Sequence, residues 1–166
     1  MTKSFTQLAA AAALVAGSAF APAAMADMYF GAKAGPMMFD IAGVDDPTNA
    51  AVMLGKEWGV VAGDIGVQIE ASTSIDDGAI NTWMGPIDVS INTLAAYGVF
   101  RSAGPVYFIG KAGVLREEVE VGSYSESDTG LSFGAGIGFS LGVAQIEIEY
   151  TLIEEDVSFL SAGIRF

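Results

Sequence analysis

The last ten residues of the chain, Val157 to Phe166, read V-S-F-L-S-A-G-I-R-F and decide the fold. Because successive side chains of a β-strand point to opposite sides, a period of two separates this stretch into two faces. In a soluble sheet an apolar face meets a core, whereas in a transmembrane barrel it meets lipid and the polar face lines the interior. The apolar face holds Leu160, Ala162, Ile164 and Phe166, and the opposite face holds Phe159, Ser161, Gly163 and the charged Arg165.

The first 26 residues have the features of a secretory signal peptide. Lys3 is their only charged residue, an apolar run extends from Leu8 to about Ala16, and Ala24-Met25-Ala26 has the small-x-small form of a signal peptidase site. The apolar run is shorter than the roughly 20 residues that a membrane-spanning helix needs. We therefore expect cleavage after residue 26 and a mature domain over residues 27–166.

The composition excludes several classes of function. Without Lys3 the chain carries 6 basic and 20 acidic residues, a net charge of −14, which repels nucleic acid and polyphosphates. There is no cysteine, so neither disulfides nor a thiolate metal site can form. There is no histidine, which excludes a Ser-His nucleophile. After residue 26 no apolar run is long enough for a spanning helix, so a membrane form requires a closed β-barrel.

Alternation of apolar and polar residues predicts eight strands, near the length of tilted transmembrane strands. Tight glycine turns follow the second, fourth and sixth strands, and longer acidic segments follow the first, third and fifth. Pro36 falls inside the first strand and cannot donate a ladder hydrogen bond, so we expect a bulge or an early strand end there. The predicted strands are residues 28–39, 51–61, 63–74, 88–101, 105–119, 129–141, 143–154 and 156–166.

The signal peptide, the alternating strands, the aromatic strand ends and the terminal Phe166 together resemble a known family. It is the small eight-stranded outer-membrane β-barrel family, which includes the transmembrane domain of OmpA, OmpX and opacity-type proteins. The resemblance implies an all-β fold, an antiparallel up-and-down transmembrane barrel in the outer membrane of a Gram-negative bacterium. It also implies contacts with outer-membrane lipid and lipopolysaccharide, and insertion by the barrel-insertion machinery, which reads the last strand through Leu160, Ile164 and Phe166. We expect a monomer.

The phase of the strands assigns three further sets of residues. Aromatic residues of the apolar phase lie near the predicted periplasmic strand ends and are expected to form an interfacial girdle; they include Phe30, Trp58, Phe108 and Phe139. Lys56 and Arg116 also fall on the lipid-facing phase, where they can snorkel to an interface. The opposite phase places charged residues in the lumen, namely Lys33, Glu57, Glu70, Lys111, Glu147, Glu149 and Arg165.

The charged lumen has two interpretations. Glu147 and Glu149 lie two apart on one strand face and could act as an acid-base pair. Alternatively, the seven charges form an ion network that fills a lumen too narrow for a pore. We favour the network, and we expect no catalytic residue, no cofactor and no metal ion.

Most of the acidic residues fall at the predicted loop end. Their spacing lacks the D-x-D-x-D-G pattern of a dedicated calcium loop, so solvated acidic loops or weak divalent bridging to lipopolysaccharide phosphates remain as interpretations. Three functions then compete: a non-enzymatic structural envelope protein, a narrow porin for small solutes, and a soluble barrel that binds an apolar ligand. A charged inner phase opposes the third, and we expect the first.

Overall fold

The computed structural model describes residues 28–39, 44–82, 85–122, 124–154 and 156–166. The predicted signal peptide and the acidic residues Asp40 and Glu155 lie outside these described residues. Within them, no helix is long and apolar enough to cross a membrane. The described strands are β1 (Met28–Phe39), β2 (Val44–Asp45), β3 (Thr48–Val60), β4 (Gly63–Asp76), β5 (Gly78–Thr82), β6 (Gly85–Ser102), β7 (Val106–Val121), β8 (Tyr124–Leu141), β9 (Ala144–Glu154) and β10 (Val157–Arg165).

Eight of these strands close into an antiparallel barrel. The sheet order runs β6-β4-β3-β1-β10-β9-β8-β7, and β7 pairs back with β6 to complete the ring. The first and last barrel strands meet in a register that pairs Gly31 with Arg165 and Ala34 with Ala162. The predicted fold class is confirmed, and each of the eight predicted strands corresponds to one barrel strand.

One end of the barrel, called the turn end below, holds three short connections together with Met28 and Phe166. Gly63, Gly104 and Gly142 take φ values of +144°, +122° and +77° there, a region of φ that favours glycine. The predicted glycine turns are confirmed by this geometry. The opposite end is called the hairpin end.

The hairpin end contains more β-structure than the sequence predicts. The sequence predicts a long acidic loop after the fifth barrel strand, but β7 and β8 stay paired as far as Val121 and Tyr124, with Gly122 at the turn. In addition, β5 pairs with the start of β6, and β2 pairs with β5. On the β8 side of the β7–β8 hairpin, residues 125–130 are polar or glycine on both faces, so the alternation that marks a strand in the sequence is lost although the backbone still pairs.

The expected bulge or early strand end at Pro36 is wrong. β1 continues to Phe39, and its register against β10 is the same on both sides of Pro36, from Ala34 paired with Ala162 to Met37 paired with Phe159. Met37 N donates to Pro47 O on the β3 side. The Pro36 nitrogen, which carries no hydrogen, therefore faces β10. The strand tolerates the proline because only the local pairing with β10 is interrupted, while the register is retained.

Along each barrel strand, buried side chains alternate with exposed ones. The outward set includes large apolar residues such as Ile69 and Leu131, which are 59% and 70% exposed. The inward set is mixed, and small residues make room for large ones. A Cβ on Gly134, Gly136 or Gly138 of β8 would meet the side chains of Lys111, Glu149 and Tyr107, respectively. The glycine-rich face therefore fits the large side chains of its neighbours into a narrow lumen.

Candidate functional site

In the lumen, eight charged side chains form a network of ion pairs on the turn-end side. The structure places all seven residues of the predicted lumen set inside the barrel and adds an eighth, Arg101 of β6. Seven of the eight are buried, and the side chain of Glu57 is 18% exposed. The set has equal numbers of each sign: Lys33, Arg101, Lys111 and Arg165 against Glu57, Glu70, Glu147 and Glu149.

Nearest the turn end, two arginines bind two glutamates. Arg101 holds Glu147 through Nε–Oε1 and Nη2–Oε2 contacts of 2.8 and 3.2 Å. Arg101 Nη1 lies 2.7 Å from Glu57 Oε1, and Arg165 Nη1 lies 2.7 Å from Glu57 Oε2. Arg165 Nε is 3.4 Å from Glu147 Oε1. Because each carboxylate contacts both guanidinium groups, the four charges form one network across the barrel.

Neutral polar residues surround this arginine cluster. The Tyr29 ring lies under both guanidinium groups, 4.9 Å from Arg101 Cζ and 4.6 Å from Arg165 Cζ. Tyr29 Oη donates to Gln68 Oε1 at 2.8 Å, and Tyr107 Oη donates to Glu147 Oε1 at 2.8 Å. These contacts supply part of the hydrogen bonding that a buried ion network needs, while Arg165 Nε is buried without a hydrogen-bond partner.

A second cluster lies at the middle of the lumen. Lys33 Nζ is 2.9 Å from Glu70 Oε2 and 3.4 Å from Glu149 Oε1. Lys111 Nζ is 3.2 Å from Glu70 Oε2 and 2.8 Å from Glu149 Oε2. Gln68 Nε2 donates to Glu70 Oε2 at 3.0 Å and so joins this lysine cluster to the arginine cluster below. Lys111 also lies 4.6 Å from the centroid of the Tyr97 ring.

Above the lysine cluster, uncharged polar side chains bridge β3, β4 and β6. Asn49 Nδ2 donates to Ser72 Oγ at 3.3 Å and to Ile91 O at 2.9 Å. Ser72 Oγ and Thr93 Oγ1 are 2.7 Å apart, and Ser74 Oγ donates to Asn49 Oδ1 at 2.9 Å. These hydrogen bonds tie one side of the lumen together on the hairpin-end side of the two charged clusters.

Apolar side chains close the lumen toward the hairpin end. Met37, Ile91 and Phe159 are each at most 1% exposed. They belong to one buried cluster with Leu115, Ile153 and Val157, and Phe39 and Val119 pack against it. We call this cluster the apolar cap. A hydrated ion would have to lose much of its hydration to pass these apolar side chains, which is costly.

At the turn end the lumen opens into a small polar vestibule of about 230 Å³. Tyr29, Asp64, Gln145 and Arg165 are among the residues that line it. The arginine cluster forms its inner boundary, since Arg165 and Glu57 belong to both.

The ion pairs leave no free carboxylate in the predicted acid-base pair. Glu147 and Glu149, the candidate acid-base pair, each contact two cations, so neither carboxylate is a free base. In the described part of the chain, no group of three or more Asp, Glu, His or Cys residues is arranged to hold a metal ion. The arrangement neutralises charge and fills space.

One further buried carboxylate lies in the hairpin-end half of the barrel. Glu117 of β7 is 5% exposed, its Oε2 has no hydrogen-bond partner, and it faces Asp128 across the β7–β8 ladder. It follows the last large apolar outward residue of β7, Val114, and therefore lies outside the membrane-spanning part. Burial, together with the neighbouring carboxyl groups of Glu154 and Asp128, raises the pKa of Glu117 to about 7.

The remaining predicted residues lie on the outer surface. Phe30 and Phe166 stack at the turn end with ring centroids 5.5 Å apart, and the Trp58, Phe108 and Phe139 side chains also point outward. Leu160, Ile164 and Phe166 are 40, 40 and 46% exposed along β10. Lys56 and Arg116 point outward as expected from their phase.

The sequence pattern did not assign Arg101 to the lumen, because both faces of β6 are largely apolar near it. Tyr97 and Val99 lie on one face and Ala96 on the other. The neighbouring Phe100 carries the signal that could have found it. If Phe100 faces lipid, alternation turns Arg101 into the lumen.

Comparisons with known proteins agree with this geometry. The sequence profile of the family described as "Outer membrane protein beta-barrel domain" matches residues 8–163. No curated protein sequence matches the chain significantly.

Solved structures with a similar fold include three bacterial barrels. Ail, the attachment invasion locus protein of Yersinia pestis, is 21% identical with a TM-score of 0.53, and the match covers 84% of this chain and 97% of Ail. Neisserial surface protein A is 14% identical with a TM-score of 0.53, over 83% of this chain and 95% of that protein. The N-terminal barrel domain of Pseudomonas aeruginosa OprF is 12% identical with a TM-score of 0.50, over 83% and 96%. At these identities the likeness shows the fold alone.

Proposed function

The chain belongs to the outer membrane protein beta-barrel domain family, and from that premise we propose that it is a non-enzymatic structural barrel with a sealed lumen. Membership of this family indicates the outer membrane of a Gram-negative bacterium. In such barrels the short turns and both termini face the periplasm, so the hairpin end faces the medium.

The observation that carries the proposal is the charge-balanced network across the lumen. Four cations and four carboxylates form ion pairs with N–O distances of 2.7 to 3.4 Å, in two neighbouring clusters. The apolar cap lies above them and contains Met37 and Phe159, which are almost fully buried. A small hydrated ion would have to displace paired charges and then cross an apolar layer, so we expect no steady conductance.

The acidic residues of the hairpin end bear on which ligands this surface can bind. One Ail structure contains sucrose octasulfate, a heparin analogue and therefore a polyanion. The β7–β8 hairpin of this chain carries Glu118, Glu120, Glu126 and Asp128, with Arg116 as the nearby cation. Because like charges repel, we infer that this surface does not bind sulfated polysaccharides. Its acidic residues keep the exposed hairpin hydrated.

Planar-bilayer recording tests the sealed lumen against the narrow-porin alternative. Purified wild-type protein should give no current steps above those of the protein-free bilayer. Regular current steps of uniform size would establish the porin instead, provided that a heat-modifiable band in electrophoresis shows that the protein is folded.

A variant that opens the apolar cap separates the contributions of the two layers. M37G/F159G removes two of the buried cap side chains and leaves the ion network in place. Brief current steps from this variant would show that the cap is needed to seal the lumen, and continued silence would show that the ion network alone is sufficient. L160G changes the outward neighbour of Phe159 and should remain silent, since Leu160 faces lipid.

A further inference from the structure

The β7–β8 hairpin extends beyond the end of β9 on one side. β8 begins at Tyr124, whereas its last pair with β9 joins Phe133 to Leu152. Among the described strands, residues 124–131 of β8 therefore pair with β7 alone, and all of their side chains are exposed. On the β9 side, this part of the hairpin can be held to the barrel only by contacts between side chains.

Glu117 of β7 makes such a contact. It lies on the inward face between Leu115 and Val119, and it is 5% exposed although its Oε2 atom has no hydrogen-bond partner. A side-chain hydrogen bond joins Glu117 to Glu154, the last residue of β9. Because an ionised carboxylate can only accept, two carboxyl groups share a hydrogen bond only while one of them holds a proton. The connection between β7 and β9 therefore depends on protonation.

Within the described strands, no cation faces Glu117. The nearest basic residue of β7 is Arg116, whose side chain points outward. Lys111, which shares the inward face, is six residues away, roughly 20 Å at about 3.3 Å per residue. The groups that face Glu117 are the uncharged Thr93 opposite it on β6, Asp128 opposite it and Glu126 one inward position further on β8, and Glu154 on β9. Ionised Glu117 is therefore surrounded by carboxyl groups alone.

We propose that Glu117 and Glu154 form a proton-dependent latch, which holds the β7–β8 hairpin against the end of β9 while one of the two carboxyl groups is protonated. When that proton is lost, the hydrogen bond ends and the carboxylates of Glu117, Glu154 and Asp128 repel one another. The hairpin then opens more often around Glu117 and Asp128. Because the hairpin end faces the medium in the proposed orientation, the pH outside the cell sets how firmly the hairpin is held.

The pH range of the latch follows from its surroundings. Burial, the hydrogen bond to Glu154 and the charge of Asp128 raise the pKa of Glu117 from 4.5 to about 7. An open hairpin loses its proton at the lower value, so the latch is strongest below about pH 4.5 and weakens as the pH rises to about 7. The latch does not involve the ion network, so it can fail without affecting the proposed sealed lumen.

A divalent cation is the competing ligand for these carboxyl groups. Oxygen atoms of several carboxylates are the usual ligands of Ca²⁺ and Mg²⁺. In the described part of the chain, however, the carboxyl groups around Glu117 are not arranged as a metal site. We therefore expect a proton rather than a metal ion to connect Glu117 with Glu154.

Hydrogen–deuterium exchange of the protein in nanodiscs with EDTA measures the latch. Amide exchange in residues 124–131, corrected for the intrinsic effect of pH, should be about tenfold faster at pH 8 than at pH 5, as expected for the loss of one hydrogen bond. E117Q should exchange slowly at both pH values, because the glutamine amide donates to Glu154 and does not titrate. E120Q is the matched control on the same strand and should keep the pH dependence of the wild type.

Truncation of the partner identifies it. E154A removes the acceptor and should make exchange at pH 5 as fast as that of the wild type at pH 8. E126A truncates another carboxylate of the hairpin and should leave exchange at pH 5 unchanged. A heat-modifiable band shows that each variant is folded. Wild-type exchange that does not change with pH, an E117Q variant that keeps the wild-type pH dependence, an E154A variant as slow as the wild type at pH 5, or protection at pH 8 that returns when Mg²⁺ replaces EDTA would each overturn the proposal.

Discussion

Phe30 and Phe166 close the barrel through both their backbones and their rings. Phe30 N donates to Phe166 O at 3.1 Å, Phe166 N donates to Phe30 O at 2.9 Å, and the two rings stack at 5.5 Å. The terminal aromatic residue therefore belongs to the closing seam between the first and last barrel strands as well as to the outer surface.

Replacing Phe166 tests this seam. F166A should lower the free energy of unfolding in detergent micelles by about 0.5–1.5 kcal/mol more than F133A, because only Phe166 loses a stacked ring. Phe133 is a matched control, since it is also outward and is 51% exposed compared with 46% for Phe166. Urea titration followed by electrophoresis of unboiled samples measures the difference. Equal losses in the two variants would show that the ring pair contributes nothing.

Removing one charge from the lysine cluster should destabilise the barrel strongly. K111M leaves Glu149 and Glu70 with only Lys33 as a counter-ion, and breaking a buried ion pair typically costs about 3–5 kcal/mol. The same titration is used, with K56M as a control because the outward Lys56 has no ion pair among the described residues. K111M/E149Q restores the charge balance and should recover part of the loss. A double variant no more stable than K111M would argue against charge balance as the cause.

Two glycines of β7 provide a matched test of close strand approach. A Cβ on Gly113 would collide with the backbone of Ala96 on β6, whereas a Cβ on Gly110 would have no atom within 4 Å. G113A should therefore destabilise the barrel by about 1–3 kcal/mol through overpacking, and G110A should change it by less than about 0.5 kcal/mol. Thermal unfolding followed by circular dichroism distinguishes them. Similar melting temperatures for the two variants would contradict the assigned register of β6 and β7.

The raised pKa of Glu117 predicts that the stability of the fold depends on pH. Its pKa is about 7 in the folded chain and 4.5 for the ordinary carboxyl group. Between these values the folded state holds a proton that the unfolded state has lost, so the free energy of unfolding falls as pH rises from about 4.5 to about 7. E117Q removes this contribution and should be more stable than wild type at pH 8, with a smaller difference at pH 5.

Urea midpoints at the two pH values measure the effect of E117Q. The control is E120Q, which changes another acidic residue of the same hairpin whose side chain is only partly buried. A difference between E117Q and wild type that stays constant from pH 5 to pH 8 would show that Glu117 does not titrate in this range.

The sequence predicted the parts of the fold where the two faces of a strand meet different surroundings. Alternation between lipid-facing and lumen-facing residues located all eight barrel strands and assigned the inward phase of residues such as Lys33 and Glu149. Partners across the lumen, such as Arg101 with Glu147, depend on the closed ring and cannot be read from the phase of one strand. The β7–β8 hairpin was missed for a related reason, because residues 125–130 of its β8 arm are polar or glycine on both faces and leave no periodicity to detect.

The charged lumen also bears on closure of the barrel. The Arg165 guanidinium of β10 contacts Glu57 of β3 and Glu147 of β9. A sheet open at the junction of β1 and β10 would leave those two carboxylates with only one of their two arginines. Pairing of β10 with β1 therefore completes the backbone ladder and the charge balance together, so electrostatics favours the closed ring over the open sheet.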